Sequence, residues 1–362
     1  MINSKFLKQE RNRLKNKYND SNILFQKNDL FETIPHPTPL SYEILKKIYS
    51  SQGSLGMAYD KLGFYYNKIL WDKLNFIETI FGNIMINKNQ EKIIFDSFFK
   101  KRINYLLLPY FIYKEREKTF RIKEIEKSYK SEFYKNIAVE IINLPKTLKS
   151  GDINGINSFI SRFINLYQHT LIINIVFASC LKNLSKKIQN NNVNLILSQN
   201  IKSIDNEWQK HINGDLSQIL NDQSFRLKYD LELYCDEYVR ITEDVKRKKF
   251  KINLNDLVKN IPFWQKDFYK AEIINLLRFK EMAQNARHLF AYAFNKFRFC
   301  LYQISKKINL EDKRDICFLK INEISKKMDY AVTRRLILKR KEKYFLLLNK
   351  KIGNKIYLKD LI

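Results

Sequence analysis

The sequence predicts a mainly α protein: one elongated, multi-helix domain with an extended Pro-rich segment leading into it. Three observations carry this. The 362 residues include only 8 Gly and 6 Pro, and sheet-rich folds need the many tight turns those residues serve. Hydrophobic residues make up 45% of the chain and aromatics 14%, enough for a sizeable core and too many for a disordered tail. From about Ile69 onward, apolar residues recur at the spacing of long amphipathic helices.

Residues 1–30 are highly charged and read as a mobile arm or a short helix. The stretch ETIPHPTPLSYEIL follows and places Pro35, Pro37 and Pro39 within five residues. Each proline fixes its own φ and pushes the preceding residue toward extended geometry, so PHPTP is a stiff connector. Ser41 then reads as the N-cap of a helix over YEILKKIY. Gly53 and Gly56 interrupt the chain before MAYDKLGFYYN, and the Asn run Gln189 to Asn194 reads as a loop. No internal repeat appears at solenoid periods. The expected organisation is a charged arm (1–30), a helical domain (31–345) and a C-terminal tail (346–362), with a short strand near Ile316 to Leu319.

One helix is clear enough to place on a wheel. Between Ala286 and Ile308, residues Phe290, Phe294, Phe297, Leu301, Ile304 and Ile308 recur at steps of three and four and form one apolar stripe. His288, Asn295, Lys296, Gln303 and Lys306 fall on the opposite side. Arg287 and Arg298 are eleven residues apart. They project in nearly the same direction from the flank of the stripe, about 16 Å apart along the axis. Two readings are open: both snorkel from the core edge to solvent, or both point into a cleft that receives an anion.

The formal net charge of +28 suits a polyanion partner. The excess is mostly Lys, spread along the chain beside abundant Asn and Ile, as codon bias in an AT-rich genome would produce. No Arg-rich cluster or known nucleic-acid fold motif accompanies it, so nucleic acid is not the favoured partner. Cys180, Cys235, Cys300 and Cys317 show no CxxC spacing and read as reduced, buried thiols. The four histidines, His36, His169, His211 and His288, have no ligand-spaced neighbour, and His169 reads as a satisfied histidine at a helix-core edge. Gly-rich phosphate loops, HExxH and GxSxG are absent. Adjacent acids such as Asp236–Glu237 and Glu243–Asp244 diverge by about 100° on a helix and form no dyad. The opening residues lack the apolar core of a signal peptide. The apolar run Leu171 to Leu181 is too short to cross a bilayer. A cytoplasmic protein with no membrane partner is expected.

Three segments together resemble the central helical region of phosphoenolpyruvate synthase-like enzymes, a group that includes pyruvate phosphate dikinase-like proteins and rifampin phosphotransferase. They are LFETIPHPTPLSYEILKKIYSSQGSLGMAYDKLGF, LNFIETIFGNIMINKNQEKIIF, and Leu276 to Ile324. In that family an extended Pro-Thr-Pro-Leu segment leaves an ATP-grasp domain and enters a helical substrate-binding domain. The third segment is the most specific: Arg287, Arg298, Asp315, Phe318, Leu319 and Glu323 match the family pattern, with Cys317 in place of an aromatic. The family also often has Gly-His-Arg ahead of a Tyr/Glu–Arg stretch. Here Tyr238 and Arg240 match the later residues, but Asp230-Leu231-Glu232 replaces Gly-His-Arg.

The resemblance implies an acceptor-binding component of a split phosphotransfer system, not catalytic by itself. Arg287, Arg298, Arg240 and Tyr238 would bind a small-molecule acceptor. Neither an ATP-grasp nor a phosphohistidine swivel motif occurs in these residues. Separately encoded chains are therefore expected to supply both domains, and with them ATP and Mg; no cofactor is expected in this chain. The alternatives are a non-catalytic scaffold of the same fold and a basic nucleic-acid-binding helical protein.

Overall fold

A computed structural model describes residues 2–27, 36–64, 66–74, 76–96, 108–148, 153–186, 188, 190–197, 214–221, 233–234, 254–324, 329–348 and 352–361. The architecture is mainly α, as the Gly and Pro scarcity predicts. Among the described residues there are thirteen α-helices and four short strands. In chain order they are α1 (Ile2–Lys17), β1 (Leu24–Gln26), α2 (Pro39–Ile48), α3 (Ser54–Leu62), α4 (Lys68–Lys73), β2 (Ile77–Ile80), β3 (Asn83–Asn87), α5 (Lys88–Asp96), α6 (Leu108–Glu132), α7 (Ala138–Asn143), α8 (Ile153–Ser185), α9 (Asn190–Leu197), α10 (Gly214–Asn221), α11 (Leu254–Leu257), α12 (Lys266–Lys307), α13 (Tyr330–Leu348) and β4 (Lys355–Tyr357).

The helical body is organised around α8 and α12. Phe159 of α8 stacks on Phe297 of α12 with ring centroids 4.4 Å apart and planes 10° apart. Phe163 sits 4.8 Å from Phe294 and meets Phe290 edge-on at 5.2 Å. These are the predicted stripe residues, and α8 is what they face. The stretch Gly155–Ser185 of α8 is long and apolar enough to span a membrane by length and composition, and half of its most apolar window is buried inside the protein. The eleven-residue run read from sequence is thus part of a longer helix. Its apolar side chains pack on α3 and α12, while Asn157, Ser158, Ser161, Arg162 and Asn165 are exposed.

Three local expectations are corrected. The N-cap of α2 is Thr38, whose Oγ1 accepts from the Ser41 amide at 3.4 Å. Pro39 takes the first helical position, where its missing N–H costs nothing. The Asn run opens helix α9 because Val193 and Ile196, one turn apart, are buried in the core. Residues Ile77 to Asn87 form a β-hairpin and not a helix. Its strands read IETI and NIMIN, and Phe81 (φ 46°) and Gly82 (φ 77°) make the two-residue turn. Positive φ at both central residues is the backbone twist that suits a tight hairpin.

The hairpin belongs to a four-stranded antiparallel sheet of order β2-β3-β1-β4. Phe25 of the charged N-terminal segment pairs with Ile356 of the C-terminal segment. With α1 and Leu347 of α13, these elements enclose a second, smaller core of Leu14, Tyr18, Phe25, Ile80, Phe81, Met85 and Leu358. The segments that the sequence reading set apart as arm and tail therefore meet in one layer.

Candidate functional site

Helix α12 carries a run of buried polar side chains. Its apolar stripe faces α8, but the opposite side is covered as well. His288, Asn295, Arg298, Tyr302 and Ser305 are all buried, spaced by 7, 3, 4 and 3 residues and so aligned on one face. Only Lys296, Gln303 and Lys306 of the predicted polar side remain exposed. The burial of His288 and Asn295 corrects their expected place on a solvent face. The cause is a second layer packed over α12. His288 Nε2 lies 2.7 Å from the carbonyl of Ile219 in α10, and because a carbonyl only accepts, Nε2 carries the proton. The Tyr302 hydroxyl donates to the Leu233 carbonyl at 3.1 Å. Asn285 Nδ2 donates to the Tyr134 hydroxyl at 2.7 Å.

Arg298 is the charged member of this stripe. It is 5% exposed, its Nη2 donates to Asn295 Oδ1 at 2.7 Å, and its guanidinium lies 5.9 Å from the centre of the Phe299 ring. Arg287 is exposed. The two arginines share one helix but not one environment. Arg298 is held inside, whereas Arg287 stands at the surface. Tyr238 and Arg240 lie outside the described residues. One turn beyond Tyr302 is the fully buried Ser305, whose hydroxyl has no hydrogen-bond partner among the described residues. A buried hydroxyl without a partner is costly, so this end of the stripe has an unused donor.

The motif after α12 forms a clasp. The expected strand at Ile316 to Leu319 is instead a 3₁₀ turn over Lys313–Phe318, begun by Asp312, whose carboxylate accepts from the Arg314 amide. A strand would send alternate side chains to opposite faces, whereas Ile316, Cys317 and Phe318 are all buried. In a 3₁₀ turn they fan out by about 120° each, which suits a segment packed between α12, α13 and α2. Arg340 of α13 grips Glu323 through both guanidinium nitrogens and donates to the Phe318 carbonyl at 2.8 Å. Lys341 pairs with Asp315 at 2.6 Å. The hydrogen bond from Arg340 holds the Glu323 carboxyl below its ordinary range, and Arg314 does the same for Asp312. The clasp reaches back to the proline segment: the Tyr344 hydroxyl donates to the His36 carbonyl at 2.8 Å, and Glu43 of α2 accepts from the Ile321 amide at 2.7 Å.

His169 is half-buried against the Tyr129 hydroxyl, as expected of a satisfied core-edge histidine. Burial, with a smaller contribution from Lys61, lowers its pKa to about 4. Among the described residues, no group of three or more His, Cys, Asp or Glu side chains is placed to hold a metal ion.

Sequence reasoning missed one polar cluster altogether. Glu78 of β2 is buried, accepts from the Tyr18 hydroxyl at 2.8 Å, and pairs with Arg13 at 3.0 Å and with Lys17. Arg13 and Lys343 also reach the buried Glu10. The available signal was a lone glutamate inside the alternating strand IETI. Both carboxylates are engaged by cations of the cluster, so it reads as a structural tie between α1, the hairpin and α13.

No protein-family model matches the chain, and no curated protein matches it with significance. Fold and site define a mainly α protein with a buried polar stripe on its central helix and an ion-paired clasp at that helix's end.

Proposed function

We propose that the chain is the helical, acceptor-binding component of a phosphoenolpyruvate synthase-like phosphotransfer system, with ATP, Mg and the phosphohistidine supplied by separately encoded partners. The observation that carries this is Arg298: the residue matched by the family resemblance is a buried cation on a long helix, flanked by Asn295, His288 and Tyr302. A cation held in place within a low-dielectric layer stabilises charge on a transferring phosphoryl group without reorganising during the step. Arg298 would neutralise the anionic end of the acceptor, and the donors along the stripe would fix its orientation. Arg287, at the surface of the same helix, would meet the incoming donor domain. Tyr238 and Arg240 remain further binding residues implied by the resemblance.

The test mixes the purified chain with the proteins encoded by its genomic neighbours, chosen for ATP-grasp and phosphohistidine motifs. Light scattering reads the complex, and phosphate release reads ATP turnover. A complex with acceptor-dependent turnover is expected. Arg298→Gln should lower that turnover at least about tenfold with helicity by circular dichroism unchanged, and Arg287→Glu should weaken assembly more than turnover. Neither complex nor turnover with the unaltered chain would end this reading.

A second reading, a non-catalytic scaffold of the same fold, is favoured by the clasp. The acidic residues of the best-matching motif, Asp315 and Glu323, are engaged by Lys341 and Arg340. A scaffold would assemble with its partners, and their turnover would be indifferent to Arg298→Gln.

A further inference from the structure

We infer that the turn preceding α12 is a docking tip for an anionic membrane surface. Pro262 starts a single 3₁₀ turn, Phe263–Gln265, that runs directly into α12. Phe263 is 85% exposed, Trp264 79% and Phe268 60%. Three large rings within six residues displayed to water are costly unless something covers them. They are not loose. Leu257, Val258, Ile261 and Tyr269 are buried beneath the turn and fix it to the helical body, so the rings are held outward by a rigid base. Lys259 is exposed and Lys266 and Lys270 are half-exposed around them. Asp267 pairs with Lys270 at 3.3 Å, and Asp256 and Glu272 flank the stretch; the chain as a whole carries a net charge of +28.

This composition selects the occupant. Lysine is depleted at the cores of protein interfaces, whereas aromatic rings ringed by lysines suit the headgroup layer of an anionic bilayer. The ring placement points the same way. Adjacent residues in a 3₁₀ turn diverge by about 120°, so Phe263 and Trp264 do not present one shared platform for successive bases. Rings with most of their surface free fit a fluid interface that can mould around them. A peripheral contact of this kind needs no spanning helix, and it stands independently of the phosphotransfer reading.

The full chain, sedimented with phosphatidylcholine vesicles containing phosphatidylserine and with vesicles of phosphatidylcholine alone, tests the inference. Binding is expected only to the anionic vesicles, weakening with salt, with a blue shift of tryptophan emission that is lost in Trp264→Ser. Replacing Phe263, Trp264 and Phe268 together by Ser should reduce vesicle binding about tenfold or more while circular dichroism stays unchanged, as befits exposed positions. Lys259→Gln with Lys266→Gln and Lys270→Gln, which keeps the rings, should shift binding toward lower salt. Three results would overturn the inference: no binding to anionic vesicles at low salt, binding by the triple Ser variant equal to the unaltered chain, or ring-dependent binding to single-stranded RNA or to a protein partner with none to vesicles.

Discussion

The helical body and the sheet layer bury polar groups in opposite ways. In the helical body the α8–α12 contact is aromatic, and the polar stripe behind it is mostly neutral: an imidazole on a carbonyl, an amide on a guanidinium, a phenol on a carbonyl. In the sheet layer the polar centre is ionic. Two buried carboxylates, Glu78 and Glu10, are met by Arg13, Lys17 and Lys343. The first region is held by non-directional apolar burial that tolerates a polar strip on its far side. The second has a small core and relies on charges that must be matched in place. The buried cation of the first region, Arg298, sits on a helix beside hydrogen-bonding side chains, whereas the cations of the second converge on two carboxylates.

The largest effect that tests this contrast is loss of the aromatic contact. Phe297→Ala removes a fully buried ring stacked on Phe159 and should cost about 3–5 kcal/mol, read as a fall in the denaturant midpoint. A loss below about 1 kcal/mol would mean that the α8–α12 seam does not organise the body.

Next is Glu78→Gln, expected to cost about 2 kcal/mol. That is less than a fully buried pair, because Arg13 and Lys17 keep 35% and 42% of their side-chain surface exposed. Its pH dependence is the sharper test. Burial alone would push the Glu78 carboxyl up, but Arg13, Lys17 and the Tyr18 hydroxyl together hold it below its ordinary value. The unfolded chain therefore takes up this proton first as pH falls. The stabilisation is complete above the ordinary glutamate range and is lost as pH drops through the depressed folded value. Glu78→Gln should flatten this acid limb of the stability curve, whereas Phe297→Ala should lower the curve without changing its slope.

Legibility from sequence follows the same divide. The stripe Phe290, Phe294, Phe297, Leu301, Ile304 and Ile308 was readable because period 3.6 is local; the first five are buried, and Ile308, at the C-cap of α12, is only half-buried. Ser41, read as the N-cap, placed the start of α2 to within three residues. The buried side of α12 was not readable, since polar residues at helical spacing look solvent-facing until the layer that covers them is known. The hairpin was missed because a Phe-Gly turn lacks the usual Asn or Asp signal and its strands are short. The ionic cluster was further out of reach. Arg13 and Glu78 are 65 positions apart, and Lys343 and Glu10 are 333 apart. No window along the chain contains such a pair. Of the candidate site, Arg298 was singled out in advance, but its burial, which gives it meaning, was not.

The smallest expected effect probes how the sheet layer is joined to α13. Gly82 sits at φ 77°, and a Cβ there would lie 3.1 Å from Leu347 Cβ. Two separate costs would follow from Gly82→Ala: strain from the left-handed backbone, and a push against the Leu347 Cβ, which is fixed to its backbone and cannot swing aside as the end of a flexible side chain could. Together they should amount to about 1–2 kcal/mol. Gly82→Asn separates the two. Asn tolerates the left-handed region far better than Ala but carries the same Cβ. If backbone strain dominates, Asn restores most of the stability lost with Ala. If the Leu347 contact dominates, the two variants fall together, and Leu347→Ala, which keeps its own Cβ, rescues neither. The second result would make the turn a packing surface for α13, tying the sheet to the helix whose Arg340 and Lys341 close the clasp.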